Sequence, residues 1–148
     1  MNPREQGDLG EYSAIEWLSS RGHPVFVPIG HSPDVDLIAL IEDRAVRVQV
    51  KTSGFYVNDR WSVAVCTRGG NQSWNKIVKR FGQERCDYLF VLVGDGRRWF
   101  IPARVVEGTT AIALGGPKYA EYEVEAGRPF VTLAAPRRGS EAVKRTAL

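Results

Sequence analysis

Apolar positions recur along the chain with two different periods, and the change from one to the other predicts the elements. From Asp8 to Ser20, residues Glu11, Ala14, Ile15 and Leu18 follow the i, i+3, i+4, i+7 spacing of a single helix face. Asp36 to Glu42 and Ala45 to Lys51 are rich in Val, Ile and Leu and read as two strands, with Asp43-Arg44 as the polar pair between them. A two-residue hairpin loop then faces Glu42 with Ala45, Leu40 with Arg47, Ile38 with Gln49 and Asp36 with Lys51. Leu37, Ala39 and Ile41 fall on the other face with Val46, Val48 and Val50, and that face is the expected core.

Further along, Pro24 to Pro28 reads as a short extended piece, and Trp61 to Thr67 as a strand. Asp87 to Val93 is an almost unbroken apolar run, as in a central strand covered on both faces. Gly94-Asp95-Gly96 turns the chain into a strand at Trp99-Phe100-Ile101, which stops at Pro102. Trp74, Ile77, Val78 and Phe81 keep helical spacing and predict a short helix from about Ser73 to Phe81. The expected fold class is α/β, a mixed β-sheet flanked by helices, in one domain over residues 1–135. Residues 136–148 form a basic, flexible or weakly helical tail in this reading, and 107–133 a closing strand pair or a partner contact.

The hairpin register gathers a carboxylate (Asp36), an amide (Gln49) and an ammonium (Lys51) on one patch, a set suited to metal-assisted phosphodiester cleavage. Each has an ordinary explanation alone: Asp36 as a turn residue, Lys51 as a side chain reaching water, Gln49 as a polar face position. Glu11 adds a carboxylate aimed at the core from the first helix, which is costly without a cation or donors. Its local alternative is a capping box with Asp8 as N-cap.

The order Gly10-Glu11, then Asp36-Leu37-Ile38, then Gln49-Val50-Lys51 resembles the PD-(D/E)XK nuclease superfamily. More narrowly it resembles the group I intron-associated PD-(D/E)XK endonucleases, in which Gln replaces the second acid. Arg68-Gly69-Gly70-Asn71, Cys86-Asp87-Tyr88-Leu89-Phe90-Val91-Leu92 and Trp99-Phe100-Ile101-Pro102 extend the similarity over roughly residues 5 to 104. The resemblance implies a restriction-endonuclease-like core, with Asp36 as principal metal ligand, Lys51 as catalytic lysine, Gln49 at the variant acidic position and Glu11 as the first-helix acid. Mg2+, or Mn2+ in its place, would be held by Asp36, the Val50 carbonyl and Glu11. The Gln49 departure removes one negative charge from the site, so a DNA-binding module without turnover is the rival reading. A junction-resolvase-like nuclease and a protein in which Asp36 and Lys51 form only a salt bridge are further alternatives.

Composition bounds these expectations without choosing among them. The 148 residues are 43% hydrophobic and 25% charged, as in an ordinary globular domain. No apolar run approaches a membrane span, and the first residues lack the apolar stretch of a secretory signal, so the expected location is the cytoplasm. Cys66 and Cys86 lack metal-ligand spacing and read as reduced, structural residues. The net charge of +3 says little about a partner, whereas its distribution says more: Arg68, Lys76, Lys79 and Arg80, with Asn71 interleaved, form a candidate DNA-facing segment. Cutting both strands with one site per chain calls for a homodimer or a tetramer.

Overall fold

The computed structural model describes residues 1–65 and 81–131 in full, together with the strand backbones of 67–68, 78–79, 132–133 and 143–145. In chain order the elements are α1 (Pro3–Ser20), β1 (Val25–Phe26), β2 (Leu37–Ile41), β3 (Arg44–Ser53), β4 (Tyr56–Val57), β5 (Arg60–Ala64), β6 (Thr67–Arg68), β7 (Val78–Lys79), β8 (Tyr88–Val93), β9 (Arg98–Pro102), β10 (Ala111–Leu114), β11 (Glu123–Val124), β12 (Val131–Leu133) and β13 (Val143–Arg145). Six of the strands form one mixed sheet in the order β1-β2-β3-β8-β9-β11, in which β3 and β8 run parallel and every other pairing is antiparallel. A second sheet, β10-β5-β4, accounts for the strand expected near Trp61. The α/β reading holds, with one α-helix among the described residues where flanking helices were expected.

Helix α1 starts earlier than its apolar stripe suggests. Asn2 is the N-cap: its side-chain oxygen accepts from the Glu5 N–H at 2.9 Å, its amide donates to the Glu5 carboxylate at 3.1 Å, and Pro3 opens the first turn. The helix is therefore capped by Asn2, with Glu5 bonded to its side chain, and Asp8 with Glu11 lies inside the helix. The buried face consists of Gly10, Ala14, Trp17 and Leu18, so Glu11 stands on its flank rather than at its centre.

Gly10 permits a close approach to β3, since a Cβ there would lie 2.9 Å from Thr52 Oγ1 and 3.1 Å from Val50 Cγ1. The C-terminal half of α1 is held by Arg98, whose side chain is 4% exposed. Its guanidinium donates to the Ser13 carbonyl at 3.3 Å, to Glu16 at 2.7 Å and to the Glu125 carbonyl at 2.7 Å. Trp17 Nε1 donates to the Glu125 carboxylate at 2.6 Å.

The β2–β3 hairpin differs from the expected register by two positions. Its turn is Glu42-Asp43, both with positive φ (51° and 62°), so Ile41 faces Arg44, Ile38 faces Arg47 and Leu37 faces Val48. Two consecutive left-handed residues give the turn whose twist matches a hairpin, which favours it over a loop at Asp43-Arg44. An even displacement preserves the faces. Leu37, Ala39 and Val48 are buried as expected, while Asp36 comes level with Gln49 instead of Lys51. Strand β8 is central, and Leu89 to Val93 are all buried.

Two other expectations change. Val78–Lys79 pairs antiparallel with Thr67–Arg68, so the helix expected from about Ser73 to Phe81 does not pass through Val78; side-chain spacing alone suggested the helix, and spacing carries no information on the cross-strand pairing that claims these two residues. Residues 69–77 lie outside the described part of the chain. In the tail, Val143–Arg145 pairs with Val131–Leu133, because a neighbouring strand with unpaired N–H and C=O groups offers these residues a ladder. Among the described residues no helix is long and apolar enough to cross a membrane.

Candidate active site

Asp36 is fixed by both its backbone and its side chain immediately before β2. Its N–H donates to the Val48 carbonyl at 2.9 Å, and its Oδ2 accepts from the Val50 N–H at 2.7 Å. One carboxylate oxygen is thereby tied to β3 and the other remains for a ligand. Burial raises the Asp36 pKa above its ordinary value, and Asp34 adds to the rise; the Val50 N–H and the Lys51 ammonium oppose it. Asp34 is held in turn by Arg85, at 3.4 Å.

Glu11 approaches from the helix side of the sheet. Its pKa is also raised, first by burial and then by the negative charges of Asp36 and Asp8. Glu11 and Asp36 line one cleft of about 480 Å³, together with Asp8, Tyr12, Ile15, Val35 and the loop after β1 that carries His31. Tyr12 and His31 border the carboxylates as well, a placement that depends on how the 27–32 segment lies over α1 and that no local sequence pattern carries.

Along β3 the side chains alternate. Val50 and Thr52 face α1, so Gln49 and Lys51 project to the opposite face. Lys51 is half-buried and acts electrostatically on Asp36, while Gln49 is only 5% exposed. Asp36 is thus the hinge of the set, within range of Glu11 on one side of the sheet and of Lys51 on the other. The structure joins these three, and Gln49 neighbours them on the strand with an uncharged side chain. Arg68 and Lys79 are described by their strand backbones alone, and Asn71, Lys76 and Arg80 lie outside the described residues, as does Cys66. Cys86 is a buried free thiol, its pKa pushed up to about 12 by burial.

The donor set suits a hard divalent cation. Two half-buried carboxylates whose ionised forms repel each other are relieved by a positive charge between them, and the cleft leaves room for the water that Mg2+ retains. Among the described residues no three of His, Cys, Asp and Glu form a group that could hold a metal ion by themselves, so an ion here would need water and substrate oxygens to complete its shell.

A structure-based comparison finds the same fold in a bacterial homing endonuclease, I-Ssp6803I. It is 20% identical, the match covers 83% of this chain and 89% of the other, and the TM-score is 0.72. No curated protein matches the chain. The model of a family described as PD-(D/E)XK endonuclease matches residues 1–115, more than three quarters of the sequence and all of the candidate site. A match over that much of the sequence shows the family: the chain belongs to the PD-(D/E)XK endonuclease family.

Proposed function

We propose that this protein is a divalent-metal-dependent DNA endonuclease that hydrolyses phosphodiester bonds at the Asp36 cleft. The observation that carries the reading is the meeting of Glu11 and Lys51 at Asp36, whose carboxylate is already oriented by the Val50 N–H. Asp36, Glu11 and the Val50 carbonyl would hold Mg2+ or Mn2+. When bound, the ion supplies a hydroxide-like water near neutral pH and offsets charge on the scissile phosphate.

The chain's own groups do the rest. The Val50 N–H keeps the Asp36 carboxylate in one orientation, so its free oxygen does not have to be ordered at each turnover. Lys51 orients the attacking water and stabilises the charge that builds on the phosphate oxygens. Gln49 fills the second acidic position with a neutral amide, leaving Glu11 to supply the missing negative charge. Arg68, Asn71, Lys76, Lys79 and Arg80 would contact the DNA backbone, and a homodimer or tetramer would bring one site to each strand. The shared fold with a homing endonuclease favours site-directed cutting of duplex DNA over the resolution of junctions.

A second reading, a DNA-binding protein without turnover, draws on the burial and neutrality of Gln49. Incubation of supercoiled plasmid with Mg2+ or Mn2+ separates the two. The native chain is expected to nick or linearise the plasmid, with Asp36→Ala slower by about a thousandfold or more and Lys51→Ala by at least about a hundredfold. Cleavage at the native rate in both variants would remove the assigned site, and binding without cleavage by the native chain would favour the second reading.

A further inference from the structure

Beyond Lys51 the last residues of β3 open onto a second cavity, of about 570 Å³ against about 480 Å³ for the carboxylate cleft. Gln6 from α1, Thr52 and Ser53 at the end of β3, Phe55 in the connection to β4 and Ser62 from β5 line it, and among the described residues none of its lining side chains is charged. Ser53 builds the wall. Its hydroxyl donates to the Ser62 carbonyl and accepts from the Phe55 N–H at 3.1 Å, while the Ser62 N–H donates to the Phe55 carbonyl at 2.9 Å. The Phe55 backbone is thus tied on both sides, yet its ring stays 64% exposed. The other polar groups are not engaged in this way. The Gln6 amide nitrogen reaches the Thr52 carbonyl only at 3.5 Å, the outer limit of a hydrogen bond, and the Thr52 and Ser62 hydroxyls have no hydrogen-bond partner among the described residues.

A cavity without a cation is poorly suited to phosphate, whose oxygens are met by Arg, Lys or converging N–H groups. Neutral donors and acceptors around one aromatic face fit a flat, uncharged heteroaromatic ring with amino and carbonyl groups at its edge, and in a nucleic acid that ring is a base. Inside a duplex the faces of the bases are covered by stacking, so a base that meets the Phe55 ring has left the stack. Thr52 and Ser53 are the first and second residues after Lys51, within about 7 Å of it along an extended strand. The base therefore belongs to a nucleotide close to the phosphate that Lys51 serves.

We propose that this cavity takes one unstacked base from beside the scissile phosphate, with Phe55 stacked on its face and the Gln6 amide paired with its edge. The proposal rests on the nuclease reading of Asp36 and Lys51. A Gln amide sets a donor beside an acceptor and matches N6 and N7 of adenine, so adenine is the base selected. Gln6 and Phe55 are then the residues that determine specificity at one position, the amide by choosing the base and the ring by holding any base that enters.

The test uses the full chain and a library of random-sequence duplexes. The bound fraction is sequenced with Ca2+ in place of Mg2+, and the cut ends are sequenced with Mg2+. The native chain is expected to enrich adenine about tenfold at one position, within two nucleotides of the cut. Gln6→Ala should bring that enrichment below about twofold at that position alone, and Phe55→Ala should weaken binding about tenfold while leaving the preferences elsewhere intact, both at the native melting temperature. In the native Ca2+ complex the thymine opposite the selected adenine should become reactive to permanganate, and in Phe55→Ala it should stay protected. Adenine enrichment that survives Gln6→Ala overturns the proposal. So does a loss of preference at every position together in that variant, or a thymine that stays unreactive in the native complex. Failure of the nuclease reading looks different: the native chain yields no cut ends with Mg2+, whatever the bound fraction shows.

Discussion

Asp36 and Asp87 are the same local device put to opposite uses. Each stands immediately before a strand, β2 or β8, and donates its own N–H at 2.9 Å to a carbonyl of β3, that of Val48 or Arg47. Each accepts a β3 N–H on its carboxylate, from Val50 at 2.7 Å or from Arg47 at 2.8 Å. The difference lies in the company they keep. Asp87 also receives the Arg47 guanidinium, at 3.2 Å from Nε and 3.0 Å from Nη2, and this pairing lowers its pKa despite some burial. Among the described residues no guanidinium pairs with Asp36; it is desolvated, it shares its cleft with Glu11, and its pKa is raised. Arg47 completes the structural tie by donating to the Gln83 and Glu84 carbonyls at 3.1 Å each, which fastens the segment before β8 to β3. A satisfied carboxylate stabilises the fold, and an unsatisfied one is available to a cation and to chemistry.

Paired substitutions sharpen that contrast most. Asp36→Asn keeps an acceptor for Val50 but loses the charge, so plasmid cleavage should fall by about a thousandfold or more, while metal-free stability in urea holds or rises, because charge repulsion is removed. Asp87→Asn should do the reverse. It keeps cleavage and loses about 1–2 kcal/mol, a figure discounted for solvent screening because the Arg47 and Asp87 side chains are 38% and 41% exposed. If the two variants behave alike in both assays, the division of labour between the two aspartates is wrong.

The contrast also has a pH signature, smaller and opposite in sign at the two sites. Both carboxyls start from an ordinary value of 3.8. Asp36 has a raised folded pKa, so the folded chain holds that proton more tightly than the unfolded one; the associated stability is complete below 3.8 and is lost as pH rises through the raised value. Asp87 has a lowered folded pKa, so its contribution is complete above 3.8 and is lost as pH falls through the lowered value. Urea midpoints of the metal-free proteins from about pH 3 to 7 should therefore show Asp36→Asn gaining on the native chain as pH rises. The deficit of Asp87→Asn should shrink at the acid end. Parallel curves for the two variants would contradict the assigned environments.

Much of this site was legible in the sequence because strand alternation survives errors of two. The hairpin turn was misplaced by one residue, which moved every partner by two positions, yet Asp36, Gln49 and Lys51 stayed on the expected sides of the strands and Leu37, Ala39 and Val48 stayed in the core. Glu11 was legible for the opposite reason: a helix position fixes its direction whatever the register of the sheet, and only the capping alternative had to be removed. The Asp87–Arg47 tie was not legible. It joins residues 40 positions apart through a parallel pairing of β3 with β8, and no local pattern states which strands run side by side.

The smallest effect tests whether the position of the helix, rather than the charge of Glu11 alone, matters to the cleft. Gly10 lets α1 lie against Val50 and Thr52, the two β3 residues on either side of Lys51. In Gly10→Ala the new methyl meets Thr52 side-chain atoms at 2.9 and 3.1 Å and Val50 Cγ1 at 3.1 Å, so α1 or the Thr52 rotamer has to give. Overpacking of this kind costs about 1–3 kcal/mol, and Ala recovers up to about 1 kcal/mol over Gly inside a helix, so the net loss in urea should be about 1 kcal/mol. Glu11 is the next residue and moves with the helix axis, away from Asp36. Cleavage should then drop severalfold at limiting Mg2+ and recover at saturating Mg2+, whereas Glu11→Gln should recover less, having lost the charge itself. If Gly10→Ala lowers stability without any change in the Mg2+ dependence of cleavage, the helix contributes packing to this end of the sheet and Glu11 does not share the ion with Asp36.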